Sequence, residues 1–179
     1  MKRTTGILAN AAILVYLAGM FHPASAQQVQ VPTLQVCNQT TVAGKANVRI
    51  ISRSDATHTG SFDVVVDLSC QPSGYPGGSL ALNKISMSDS TVSGTITATT
   101  FEQVTSIGKH TPTAFINGRC KATEISGCRF WLMVADNRGL EKDGTPDIVS
   151  FLVIDGTGRR VAYGTGPVMK GDLKVSSAN

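Results

Sequence analysis

The sequence predicts an all-β fold, a single immunoglobulin-like or jelly-roll-like β-sandwich with mostly antiparallel strands. Three observations predict it. No long window repeats apolar residues every three to four positions, so helix signals are nearly absent. Apolar and polar residues instead alternate in about nine short runs. Clusters of Gly, Pro and Asp separate those runs, as turns between strands require.

The first 26 residues stand outside this pattern. Lys2 and Arg3 make a positive start, Ile7 to Phe21 is an apolar run of 15 residues, and Ala24-Ser25-Ala26 offers a small-residue cleavage site. This is the layout of a secretory signal peptide, and the run is short for a membrane span, which needs about 20 apolar residues. The expectation is a mature chain beginning at Gln27, secreted or periplasmic, with no transmembrane segment. Residues 27–36 read as an N-terminal arm and 37–179 as one domain.

The strands follow in order. Asn47 to Ile51 places Val48 and Ile50 together. Ser61 to Ser69 is the clearest, with Phe62, Val64, Val66 and Leu68 on one face and Asp63, Val65 and Asp67 on the other. Gln71 to Ser79 carries two Pro and three Gly and reads as a loop. Leu80 and Leu82 alternate, then Ile85 and Met87 continue in the opposite phase, so a bulge is expected at Asn83-Lys84. Thr91 to Phe101 keeps Val92, Ile96 and Ala98 in phase, and Thr113 to Ile116 is short. Phe130 to Val134 and Ile148 to Ile154 are apolar on both faces and read as central strands covered on both sides. Asp155-Gly156-Thr157-Gly158 reads as a hairpin turn into Arg160 to Tyr163, and Leu173 to Val175 closes the count. The expected core comprises Phe62, Val64, Val66, Leu68, Ile96, Phe130, Leu132, Val134, Leu152 and Ile154, with Trp131 also inside because large rings are mostly buried.

Four cysteines remain in the mature part, and an even count in a secreted chain reads as disulfides. Of the three connectivities, Cys37–Cys70 and Cys120–Cys128 join neighbours in sequence that flank candidate strand pairs. A zinc site would want close C-x-x-C pairs or histidine partners, and neither is present. Without Lys2 and Arg3, fourteen basic residues face twelve acidic ones, and the basic residues are scattered. A nucleic-acid partner, which needs a clustered basic face, is not expected.

No constellation in the sequence carries catalysis. His58 and His110 sit among hydroxyls, but no serine lies in a G-x-S-x-G elbow, so a weak hydrolase using one of them is the last of three alternatives. Asp63 and Asp67 share a strand face about 13 Å apart and read as a solvated face, not a glycosidase pair. The densest polar cluster is 136–147. Its Asp136, Asn137, Asp143 and Asp147 offer the oxygens that calcium takes, although the glycine spacing is not that of an EF-hand. Tyr75, between Pro72 and Gly77, is a candidate ligand contact on a loop.

Cys128-Arg-Phe-Trp-Leu-Met-Val-Ala-Asp-Asn137, an acidic Gly/Pro loop, Ile148 to Gly156, Tyr163-Gly164 and Lys170 to Leu173 follow each other over about 50 residues. This stretch resembles the terminal β-sandwich module of some large secreted or surface-attached bacterial proteins, with Arg138 where that pattern has glycine. The resemblance implies extracellular, non-catalytic work. The chain is also similar to chaperone-assembled pilins in the alternating Gln28-Val29-Gln30-Val31, in Leu34 and Val36, and in Gly166 fourteenth from the end. It departs from them at Ala178, where an aromatic residue is usual. That similarity implies a donor strand at 27–36 that completes a neighbour's sheet. The leading expectation is a non-enzymatic binding or structural module without an organic cofactor. Its expected partner is an envelope or extracellular protein or glycan, or another copy of itself.

Overall fold

The structure, a computed structural model, describes residues 36–52, 54–88, 90, 92–137 and 144–176. The expected signal peptide and all of the arm except Val36 lie outside the described residues. Eight strands follow in order: β1 (Thr41–Ile51), β2 (Thr59–Cys70), β3 (Pro76–Met87), β4 (Gly94–Ile107), β5 (Thr113–Ala122), β6 (Ile125–Ala135), β7 (Ile148–Asp155) and β8 (Arg160–Ser176). Each pairs antiparallel with the next, and β8 returns to β1, so the sheet closes into one barrel.

The expected two-sheet sandwich is therefore corrected to a single eight-stranded barrel. Alternation tells which side of a strand is buried and not what buries it, so both architectures write the same pattern. Closure needs strand stagger, bulges and sharp bends. The register breaks at Asn47/Val48, Ser61/Asp63, Leu82/Ile85, Ala98/Thr100 and Val153/Ile154. Glycine serves the tightest approaches: a Cβ on Gly118 would lie 2.0 Å from the Thr100 carbonyl oxygen, and one on Gly166 would lie 1.7 Å from that of Arg49. The expected bulge at Asn83-Lys84 is present, with Lys84 at φ 51°. Two expected strands, Arg160–Tyr163 and Leu173–Val175, are the ends of the one long β8. Of the expected loop at 71–79, residues 76–79 belong to β3.

The interior is apolar and filled. Phe62, Val64, Val66 and Leu68 of β2 point inward, as the alternation predicts, and meet Ile96, Ile116, Phe130, Leu132, Val134, Val149, Phe151 and Val153. Phe62 and Phe151 pack edge to face with centroids 4.7 Å apart. Leu152 and Ile154, expected inside, are only partly buried. On β7 the inward phase belongs to Val149, Phe151 and Val153. The run from Ile148 to Ile154 is apolar in both phases, so composition alone does not choose between them.

Both disulfides pair as expected, Cys37–Cys70 and Cys120–Cys128. The second joins directly opposed residues of β5 and β6. The first ties the segment before β1 to the end of β2. There Val36 accepts the Val104 N–H at 2.9 Å, Cys37 makes a parallel bridge to Val104, and Asn38 exchanges two hydrogen bonds with the Ser106 backbone.

At the same end of the barrel the β6–β7 connection supplies two buried carboxylates. Asp147, fully buried, accepts the N–H groups of Asn137 at 3.0 Å and Leu173 at 3.2 Å. Asp136 accepts that of Val175 at 3.0 Å. Replacing Asp147 by alanine strands two backbone donors, a loss of about 2–4 kcal/mol that urea unfolding at neutral pH would measure. Asp147→Asn, which keeps one acceptor oxygen, loses less.

The disulfides differ in the loop they close, with sequence separations of 33 and 8. On loop entropy, replacing Cys37 and Cys70 by alanine costs about 4 kcal/mol and replacing Cys120 and Cys128 about 2.5 kcal/mol. The order of the two urea midpoints checks this.

Candidate functional site

The outer face of β5–β8 can be read directly from the pairing register. Residues that oppose one another across antiparallel strands share a face, and every second residue repeats it. Arg119, Arg129, Ile154 and Arg160 stand in one row across β5, β6, β7 and β8. The next row holds Asn117, Trp131, Leu152 and Tyr163. The third holds Phe115, Met133, Ser150 and Thr165. Since Phe130, Leu132, Phe151 and Val153 face inward, these three rows face out.

Trp131 is thus corrected from a core residue to a surface one, 40% exposed, and Phe115 is equally so. Strands apolar on both faces were expected to be covered on both, yet no described element lies over this side. A groove of about 170 Å³ runs between Phe115, Trp131, Met133 and Leu152. A second, of about 420 Å³, continues from Ser150 and Leu152 to Tyr163 and His58. Ser150 and Leu152 of β7 line both, so the two depressions adjoin across that strand and together make a trough with β7 as its low divide.

Polar side chains in the trough are ordered. The Ser150 and Thr165 hydroxyls bond at 2.7 Å, and Asn117 Nδ2 donates to Gln103 Oε1 at 3.0 Å. The His58 ring stacks on Tyr163 at 4.1 Å with planes 6° apart, and the Arg160 guanidinium lies 3.8 Å over the same ring. Two flat groups at these distances cannot share one face, so Tyr163 is sandwiched between them.

The arginine row borders a cleft of about 670 Å³ beside the Cys120–Cys128 disulfide, with Lys121, Gly156 and Gly158 also on its walls. Glu102 bonds Arg129 and, at 3.4 Å, Arg119. These two arginines, Arg129 foremost, hold its carboxyl below the usual range. One carboxylate between two guanidiniums leaves the row positive.

The other candidate residues scatter. His58 is buried in the β1–β2 connection and His110 exposed in the β4–β5 connection, which lie at opposite ends of the barrel, so they form no single site. Asp63 is taken up by Asn47 at 2.8 Å and Lys84 at 2.9 Å, which lower its pKa. Tyr75 is exposed beside β2 and β3, across the barrel from the trough. Of the calcium candidates, Asp136 and Asp147 accept backbone N–H groups, Asn137 donates to the Pro146 carbonyl at 2.9 Å, and Asp143 lies outside the described residues. No group of three His, Cys, Asp or Glu among the described residues could hold a metal ion. The trough was missed because its residues are far apart in sequence. The usable signal was the second apolar phase of Phe130–Val134, Trp131 and Met133.

In comparisons with known proteins, no family model, curated protein or solved structure matches this chain.

The turn beside the arginine cleft generates a pH prediction. Asp155 accepts bonds from the Thr157 hydroxyl at 2.6 Å, the backbone N–H groups of Thr157 and Arg159, and Arg159 Nε at 3.2 Å. Led by the Thr157 hydroxyl, these lower its pKa from 3.8 to about 2. A carboxylate lowered on folding stabilises the fold above its unfolded value and loses that contribution as pH falls through the folded one. Asp155→Asn therefore flattens stability against pH between about 4 and 2, which acid titration of the urea midpoint would detect.

Proposed function

We propose that the protein is a non-enzymatic binding or structural module of the bacterial envelope or extracellular space, secreted or periplasmic, and that its ligand surface is the outer face of β5–β8. One observation carries this reading. Phe115, Trp131, Met133, Leu152 and Tyr163 form a contiguous apolar surface on a barrel whose interior is already complete. Folding alone does not require these side chains, and aromatic residues beside arginine are what binding surfaces favour. The two disulfides suit an oxidising compartment, to which the N-terminal leader pattern would direct the chain. No helix among the described residues is long and apolar enough to cross a membrane. The apolar residues of the strands point mainly inward, the reverse of a membrane barrel.

Trp131 is the chain's only tryptophan, so its emission reports this face alone. Titration with soluble envelope glycans, a cell-wall digest and a periplasmic protein fraction is expected to shift that emission with at least one of them. Trp131→Ala, followed by calorimetry, should weaken the same binding by about 2 kcal/mol or more. Emission unchanged by every fraction would overturn the assignment of this face.

A further inference from the structure

We infer that the occupant of the trough is an acidic oligosaccharide, a chain of sugar rings each bearing a carboxylate. This rests on the reading of the β5–β8 outer face as the ligand surface, and deepens it. The argument starts from the repeat across the strands. On β5 Asn117 has Arg119 beside it, on β6 Trp131 has Arg129, and on β8 Tyr163 has Arg160. Adjacent strands lie about 4.8 Å apart, and the two rows are separated by about 7 Å along the strands. Three of the four strands thus present a ring or an amide with a cation next to it, and β7 between β6 and β8 presents Leu152 and Ile154. The ligand that matches has flat, partly apolar units in series and anionic groups recurring along one side.

The shape agrees. The trough is two adjoining depressions, one on either side of β7, and such a series of shallow grooves across the strands fits an extended chain better than the flat face of a folded protein. Its polar members, the Ser150–Thr165 hydroxyl pair and the Asn117–Gln103 amide pair, offer donors and acceptors to sugar hydroxyls. Trp131 offers an aromatic face, and two strands away in the same row Tyr163, covered on both faces by His58 and Arg160, offers its ring edge and the guanidinium above it, so the two meet successive parts of a chain crossing the sheet.

Charge selects carboxylates. Guanidinium donates two parallel hydrogen bonds to a carboxylate and is the side chain suited to planar anions. Arg160 is held by stacking on Tyr163, and Glu102 holds Arg119 and Arg129 without neutralising both. The cleft beyond this row has Arg119, Arg129 and Lys121 on its walls and one carboxylate, Asp155, which is bonded to Arg159, so an anion leaning from the trough enters a recess where cations outnumber carboxylates.

The test uses residues 27–179, oxidised, with oligogalacturonides and alginate oligosaccharides as probes and fully methyl-esterified oligogalacturonides as the uncharged control. Trp131 emission and calorimetry are the readouts. At least one acidic probe should bind, and more weakly as salt rises. If the galacturonide binds, its methyl ester should bind at least tenfold more weakly. Arg129→Gln should weaken the acidic probe at least fivefold and leave the ester unchanged, while Trp131→Ala weakens both at least tenfold. Melting curves check that both variants are folded. If neither acidic probe binds but an envelope fraction still shifts Trp131, the sugar class is wrong and the face remains. A shift abolished by protease treatment of that fraction identifies a protein occupant and overturns the inference. Acidic probes that bind equally well to both variants overturn the face itself.

Discussion

The constraint on which the rest depends is the stagger that closes the barrel. β8 pairs with β7 through Arg160 to Pro167 and with β1 through Val168 to Ser176. Its second half therefore runs past the start of β7 and leaves backbone donors facing a strand that is no longer there. A buried donor without an acceptor costs as much as a good hydrogen bond is worth. Asp147 and Asp136 provide acceptors, taking the N–H groups of Leu173 and Val175, and the Asp147 carbonyl takes that of Val168. The same shortfall arises at β4. Its pairing with β3 is confined to Ala81↔Thr97, Leu82↔Ile96 and Ile85↔Gly94. Further along, Val36 and Asn38 meet the donors of Val104 and Ser106, and the Cys37–Cys70 bridge fastens that segment in place.

This gives two carboxylates of the loop that reads as a calcium site in sequence a structural role. Asp136 and Asp147 bracket a run rich in Asp, Asn and Gly, which is what calcium loops need. In the fold, however, the two carboxylates turn back toward the barrel and do for backbone N–H groups what a neighbouring strand would have done. That role depends on which way the side chains point, and so on Leu173 and Val175, more than twenty residues further along the chain.

Much of the fold was legible in the chain, and what was not shares one cause. The inward faces of β2 and β6, both disulfides, the Asp155–Gly158 turn and the bulge at Asn83-Lys84 each follow from local pattern or from spacing. The choice of barrel over sandwich does not. It rests on which strand lies beside β1, and the glycines that permit it, such as Gly118 and Gly166, resemble ordinary breaks in a strand. Leu152, Ile154 and Trp131 were misread because an apolar residue on the second face of a strand implies cover only if a second layer exists.

That misreading also locates the candidate site. A strand written apolar on both faces, in a domain with one core, has a face left over for something else. On β6 and β7 the inward phase is complete with Phe130, Leu132, Val134, Val149, Phe151 and Val153. Trp131, Met133 and Leu152 are therefore only partly covered by folding and leave apolar surface in water, which selection for stability alone does not favour. Their neighbours sharpen the point. Arg119, Arg129 and Arg160 come from three different strands and fall into one row only through the register that closure imposes. The stagger that makes Asp136 and Asp147 necessary at one end of the barrel is thus the same geometry that aligns an aromatic row beside a cationic one on its outer wall.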